Sequence, residues 1–394
     1  MKLLWISSIA WINNGKYRLP VNGPGAVSGS LFQQNIIEGL EEQELNIAIL
    51  SDFPTTKKFN KGFKWSHNKS SNDYAVGSFK IPLISMIIKT VLMCFNILKR
   101  KEKREYSVAV AYLIHTPYLI ALWFAKKLNN NLKTILICPD LPGYMDMSLK
   151  DKPIKSFFKK VDYWVINKLL NNIDAFILFS DAMREQLPIK NKKTLVIEGV
   201  YSPNGINFDK VNKKKSIMHA GTLHKNIGIE NIIEGFKLIE DKELELWIFG
   251  DGELNEYIQR EARKDRRIKF FGFVSRTELF EYQKQATLLI NARNSIDDYT
   301  KYSFPSKTFE YMVSGTPFLT TKLSGIPEEY YDYLYTMDSN APSIISDHIK
   351  QILAISDKER ELFGLKARDF VLKNKNKNSQ STKMKEFLRS INSQ

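Results

Sequence analysis

Apolar runs of strand length alternate with helix-like stretches along this chain, and the whole series occurs twice. Strands are expected at residues 2–9, 47–51, 108–112, 133–138, 175–179 and 194–197, with helices at 28–40, 83–103, 116–129, 154–170 and 182–187. The scheme restarts with strands at 216–220, 244–249, 268–271, 288–291, 318–321 and 333–337. Helices fall between these at 229–239, 254–264, 277–285, 305–314 and 341–355. Strands separated by helices form a parallel sheet covered on both faces. Two series need two sheets, and 394 residues exceed one ordinary core. The fold class expected is α/β, with two Rossmann-like, doubly wound parallel-sheet domains facing across a cleft. Ligands of such sheets gather outside the carboxyl ends of the strands. The break falls in the polar, Lys-rich stretch 203–215, a last helix near 381–391 is expected to return to the first domain, and residues 373–381 read as a polar linker.

Composition narrows the function classes. Only Cys94 and Cys138 occur, in apolar surroundings, so no disulfide framework is implied and a reducing cytosol is expected. No His-x-x-x-His, Cys-x-x-Cys or Asp-x-Asp spacing appears, and neither metal nor cofactor is expected. The apolar start, MKLLWISSIAWI, lacks a small-residue cleavage site and reads as a buried first strand. No apolar run reaches the length of a spanning helix. Of the net charge of +15, residues 1–210 carry +12, from 29 basic and 17 acidic side chains. A basic surface suits nucleic acid or anionic lipid. Nucleic acid is not expected, because no zinc finger, RNP-like aromatic run or zipper heptad accompanies the charge. The segments 83–103 and 154–168 mix apolar and aromatic residues with Lys, so each reads either as a helix covering the sheet or as one lying on an anionic membrane.

The densest motif is Tyr302–Pro317, YSFPSKTFEYMVSGTP. Pro305 suits a first helical turn, where leading N–H groups have no partners. Such an end attracts anions, and Lys307 adds a full positive charge beside Ser306. Glu310 follows at i+3 on a similar side. Cation, helix start and carboxylate together suit a ligand with phosphates and hydroxyls, such as a nucleotide-sugar. A solvated Lys–Glu pair on an ordinary helix is the alternative.

Other candidates lie at strand ends. The loop 13–30 contains Gly23, Gly25, Ser28 and Gly29, which read as a phosphate or acceptor loop or as a plain surface loop; it matches neither GxGxxG nor a P-loop. His219-Ala-Gly-Thr leaves a strand, and Gly221 and Thr222 fit a diphosphate-facing turn better than His219 does. Phe273 and Val274 follow a further strand. Arg293 ends the strand ahead of the Pro305 segment, where its guanidinium can fork onto phosphate or simply face solvent. Asp140, between Pro139 and Pro142, either orients an acceptor hydroxyl or shapes a turn.

Taken together, GTLHKNIGIENIIEGF, LWIFGDGEL, LLINARN and YSFPSKTFEYMVSGTP, with ICPDLPGYM and ILFSDAMREQL, resemble the family-4 retaining glycosyltransferases of the GT-B class. More narrowly they look like bacterial members that build capsule, O-antigen or exopolysaccharide. The resemblance implies an acceptor-binding domain over 1–205, a nucleotide-sugar-binding domain over 206–380 and a C-terminal helix over 381–394. It implies a metal-independent, retaining transfer from a nucleotide-sugar, with UDP the commonest carrier. The acceptor implied is a glycan, lipid-linked at the inner face of the cell membrane. By this carry-over Glu310 bonds the ribose and Lys307 and Arg293 hold the diphosphate with Gly221 and Thr222. Phe273 and Val274 meet the base, and Asp140 sits by the sugar and acceptor. The pattern departs at Tyr302, where the first Glu of the family's pair is expected, and at Thr222 and Ile227, where Arg and Lys are usual. These departures keep two other readings open, an inactive partner subunit and a GT-B-fold sugar-nucleotide epimerase.

Overall fold

The computed structural model describes residues 1–9, 11–13, 16–17, 25–52, 59–60, 62–79, 81–141, 153–203, 207–294 and 299–392. They form two compact units, Met1–Val200 with Lys377–Gln394, and Tyr201–Asn376. The first unit begins with β1 (Lys2–Ser8), the short pair β2 (Ile12–Asn13) and β3 (Lys16–Tyr17), α1 (Gly25–Glu41), β4 (Asn46–Asp52) and β5 (Phe59–Asn60). It continues through β6 (Phe63–Trp65), β7 (Asp73–Ala75), β8 (Ser78–Phe79), α2 (Pro82–Lys99), β9 (Val108–Tyr112) and α3 (Thr116–Leu128). Then come β10 (Lys133–Cys138), α4 (Pro153–Leu170), β11 (Ala175–Leu178) and β12 (Lys193–Val196). Its large sheet has the order β12-β11-β10-β9-β1-β4-β7-β6, and the order reverses between β9 and β1.

Burial explains the apolar runs. In β1, Leu3, Leu4, Trp5 and Ile6 are all buried, so side chains on both faces of the strand lie in core. The Trp5 indole donates to Gln33 Oε1 of α1 at 2.9 Å, which satisfies its one polar atom.

The edge strands β6 and β7 are antiparallel, in a sheet expected to be parallel throughout. Two three-residue strands are too short to show periodicity, and a buried polar cluster holds them instead. The His67 ring lies 2.7 Å from Asp73 Oδ2 through Nδ1 and 2.8 Å from Glu41 Oε1 through Nε2, with Trp11 tilted and Trp65 edge-on beside it. Burial alone lowers the His67 pKa, but the bonds to Asp73 and Glu41 outweigh it and raise the value to about 9. A His raised in the folded state stabilises fully below its unfolded pKa near 6.5 and loses that contribution as pH rises through about 9. We therefore expect His67→Gln to cost on the order of 3 kcal/mol near pH 6 and much less near pH 10, read from paired denaturation curves.

The second unit starts with β13 (Lys214–Ala220), α5 (Ile229–Lys237), β14 (Glu245–Phe249), α6 (Asn255–Lys264), β15 (Ile268–Gly272) and α7 (Arg276–Gln285). β16 (Ala286–Asn291), α8 (Tyr299–Tyr302), α9 (Lys307–Ser314) and β17 (Phe318–Thr321) follow. β18 (Tyr335–Met337), α10 (Pro342–Ala354) and α11 (Asp357–Asn374) end it. The sheet runs β15-β14-β13-β16-β17-β18, every pair parallel, with its reversal between β13 and β16.

Residues 373–381 are not a linker. Lys373 and Asn374 end α11, and α12 (Lys377–Asn392) starts three residues later. Lys375 is 1% exposed, its ammonium 2.5 Å from Glu329 and over the rings of Tyr330 and Phe370. Burying the methylene stem against aromatics while pairing the charge holds a polar sequence in place. Helix α12 returns to the first unit, where Met384, Leu388 and Ile391 join the core beneath α1.

Candidate functional site

The reversal point of the second sheet gathers most of the expected residues of that unit. At the end of β13, the His219 Nδ1–H donates to the Ile290 carbonyl of β16 at 3.0 Å, tying the two strands where the order turns. The carbonyl accepts only, so Nδ1 carries the proton and Nε2, buried and without a partner, keeps a bare lone pair. Burial pushes the His219 pKa down to about 4, and the charges of Arg293 and Lys307 act in the same direction. That coupling puts both cations in the electrostatic field of the strand end.

Helix α9 is fixed to the same place. Tyr311 Oη accepts from the Ala220 N–H at 2.6 Å and donates to the Ala220 carbonyl at 2.9 Å. The helix starts at Lys307 and not at Pro305: the Pro305 carbonyl closes a tight i to i+3 turn onto Thr308 N at 2.8 Å ahead of it. Lys307 thus becomes the first helical residue. A cation at a helix N-terminus opposes the macrodipole, which makes this end strongly attractive to an anion. Lys307 Nζ lies 2.8 Å from Glu310 Oε2, and Arg276 at the start of α7 approaches Glu310 Oε1 at 3.5 Å. Tyr201 completes the group: its hydroxyl is buried without a hydrogen-bond partner, and its pKa is pushed up to about 12 by burial, with Arg276 and Glu310 acting in opposite senses.

Gly221 forms a turn that interlocks with Gly250. The Gly221 N–H donates to Phe249 O at 3.1 Å, and a Cβ on Gly250 would stand 1.8 Å from Gly221 O. Gly250 has φ +131°, a second reason for glycine there. Gly250→Ala is expected to displace the Gly221 turn and to destabilise the second unit by more than about 2 kcal/mol, seen as a lower midpoint in urea. Thr222 is exposed beyond this turn, and Ser306 is exposed just before α9. Phe273 is 85% exposed after β15, while Val274 packs on the core. Tyr302 is buried at the end of α8.

In the first unit, Asp140 follows β10 at the carboxyl edge, and burial raises its pKa. The Tyr112 hydroxyl at the end of β9 is pushed up by burial and by the charge of Asp140. Gly25, Ser28 and Gly29 do not form a loop: α1 begins at Gly25 and takes in all three. A Cβ on Gly29 would lie 3.1 Å from Tyr112 Oη, so this glycine answers a close approach of helix and strand. Gly23 lies outside the described residues.

Sequence reading missed several groups here. Arg276 carried a signal, a cation one position after Ser275, whose Oγ caps α7 by accepting from Glu278 N. On the first unit's carboxyl edge, Asp52 of β4 accepts from Tyr118 Oη at 2.6 Å and pairs with Lys89. His115 precedes α3, its ring edge-on to Tyr118, and burial lowers its pKa with Asp52, Lys89 and Asp162 around it. No local spacing marks this set, because its members come from three separate elements.

Residues 214–354 match the family model described as glycosyl transferases group 1. The matched segment contains the reversal point, Lys307 and Glu310. Solved structures align over nearly all of both chains. A sucrose-phosphate synthase from Thermosynechococcus elongatus matches with TM-score 0.65 at 14% identity, covering 99% of this chain and 99% of that one. The fold is that of GT-B glycosyltransferases. Anabaena HepE in complex with UDP matches with TM-score 0.64 at 12% identity over 99% and 100%. A Staphylococcus aureus TarM mutant with fondaparinux, α-GlcNAc-glycerol and UDP matches with TM-score 0.61 at 12% identity over 98% and 100%. No curated protein matches the sequence.

Proposed function

We propose that this GT-B protein is a retaining glycosyltransferase that moves a sugar from a UDP-linked donor to a lipid-linked glycan in cell-surface polysaccharide synthesis, working on the inner face of the cell membrane. The carrying observation is Lys307 opening α9 at the reversal of the second sheet, with Glu310 in the same first turn. The diphosphate lies against Lys307, Arg293 and the Gly221–Thr222 turn, and Glu310 takes the ribose hydroxyls. Phe273 and Val274 flank the base, while Ser306 and Tyr302 border the donor. UDP in the HepE and TarM structures supports this choice of carrier.

In the reaction the C1–O bond to the diphosphate breaks and its electron pair goes to the leaving phosphate oxygen. The acceptor hydroxyl forms the new bond on the same face, and its proton passes to that phosphate. Lys307, Arg293 and the N–H groups at the start of α9 stabilise charge that grows along this path, so they act more on the transition state than on the ground state. No metal is needed in this scheme, because the cations are side chains. Asp140, its pKa raised by burial, orients the acceptor hydroxyl at the edge of the first unit.

Tyr302 favours one other reading. A buried ring stands where a second carboxylate is expected, as suits a partner subunit that binds donor without turnover. The separating experiment incubates the protein with UDP-sugars and membrane lipid extract in EDTA and follows UDP release and the anomeric configuration of the product by NMR. Acceptor-dependent UDP release with a retained anomer meets the proposal. Donor binding with no release in any extract contradicts it, and a new nucleotide-sugar formed without acceptor identifies an epimerase.

A further inference from the structure

We propose that the outer face of α2, α3 and α4 is the surface by which the first unit docks on an anionic lipid bilayer. The inference deepens the reading above by naming the surface that meets the membrane. Helix α3 packs between α2 and α4, so the three form one layer on the sheet. On α2 the exposed large apolar side chains among the described residues are Ile84, Ile87, Val91, Phe95 and Leu98. At 3.6 residues per turn these five fall within an arc of about 80°. The opposite side, with Ser85, Met93 and Ile97, is buried against the unit. An amphipathic surface helix shows polar residues outward, whereas α2 is apolar on both sides. The layer continues with Trp123 on α3 and with Val161 and Trp164 on α4, Trp164 being 58% exposed.

Charge chooses the occupant. The three helices carry eight Lys and a single acidic residue, Asp162. In each, a last-turn Lys lies over an exposed aromatic ring: Lys99 on Phe95 at 4.2 Å, Lys127 on Trp123 at 6.0 Å and Lys168 on Trp164 at 4.0 Å. Aromatic rings beside Lys suit the headgroup level of a bilayer, with the apolar stripe entering the acyl boundary and the ammonium groups meeting lipid phosphates. A second copy of this face would instead bring like charges together. Helix α3 starts directly after His115, beyond the end of β9, and Asp140 follows the neighbouring strand β10 at the same carboxyl edge, so docking here holds that edge close to a lipid-carried acceptor.

The test is flotation of the full chain with vesicles of phosphatidylcholine alone and of phosphatidylcholine with phosphatidylglycerol. Two variants are compared, Val91→Glu/Trp164→Glu and Lys99→Gln/Lys127→Gln/Lys168→Gln, with UDP titration and light scattering on each. The wild type is expected to float only with anionic vesicles. The Lys variant loses about fivefold in partitioning per charge, and the Glu variant no longer floats. Equal flotation of wild type and both variants, or none by the wild type, overturns the proposal. So does a wild-type dimer that the Glu variant dissociates. Lost flotation with unchanged UDP binding in the variants assigns the defect to docking and leaves the donor site standing.

Discussion

Lys307→Ala is expected to lower kcat by about 10²–10³-fold while the protein stays folded, the range found when one preorganised charge-stabilising donor is removed. Lys307 sits on the first turn of α9 and its ammonium pairs with Glu310, so truncation leaves no buried charge behind. The Glu310 carboxylate keeps Arg276 beside it. The loss falls on kcat, because the leaving diphosphate gains charge only as the sugar bond breaks. A folded Lys307→Ala protein with near-normal kcat removes this residue from the mechanism.

Glu310→Ala acts at a different stage. A carboxylate accepting from ribose hydroxyls makes charge-assisted bonds of about 1.5–3 kcal/mol, so its loss is expected to raise the nucleotide Kd about 10–100-fold. In the structure this carboxylate already contacts Lys307 and Arg276, and ribose must share it with them. Arg276→Ala is therefore expected to change affinity far less than Glu310→Ala, and equal losses would place the carboxylate's role in the ion pair and not in ribose binding.

The doubly wound units were legible because their strands are buried on both faces. Runs such as KLLWISS in β1 and ATLLIN in β16 have no solvated side to interrupt them. Helix α11 escaped notice because it is dense in charge and has Gly364 in its interior. A Cβ on Gly364 would stand 2.1 Å from Gly315 O, so close packing demands a residue that weakens the helix. Its start was readable in Ser356-x-x-Glu359, where Ser356 Oγ accepts from Glu359 N. The edge strands β6 and β7 depend on His67 meeting Glu41 of α1, a contact no local window contains.

The candidate site divides in the same way. Lys307 and Glu310 share one helix turn and could be paired by spacing alone. Arg276, Tyr201 and Glu310 meet only through the fold, as do Asp52, Lys89 and Tyr118 in the first unit. Gly29 falls in both the expected loop 13–30 and the expected helix 28–40, because a helical glycine and a loop glycine look alike until the Tyr112 hydroxyl appears beside it.

The most direct test of the central claim is calorimetric titration of the wild type and Glu310→Ala with UDP, GDP, ADP and CMP, in EDTA. Binding of UDP without metal, in preference to the other three and weakened in the variant, is the predicted result. Absence of binding to all four, or UDP affinity unchanged by Glu310→Ala, would contradict a donor site at the start of α9.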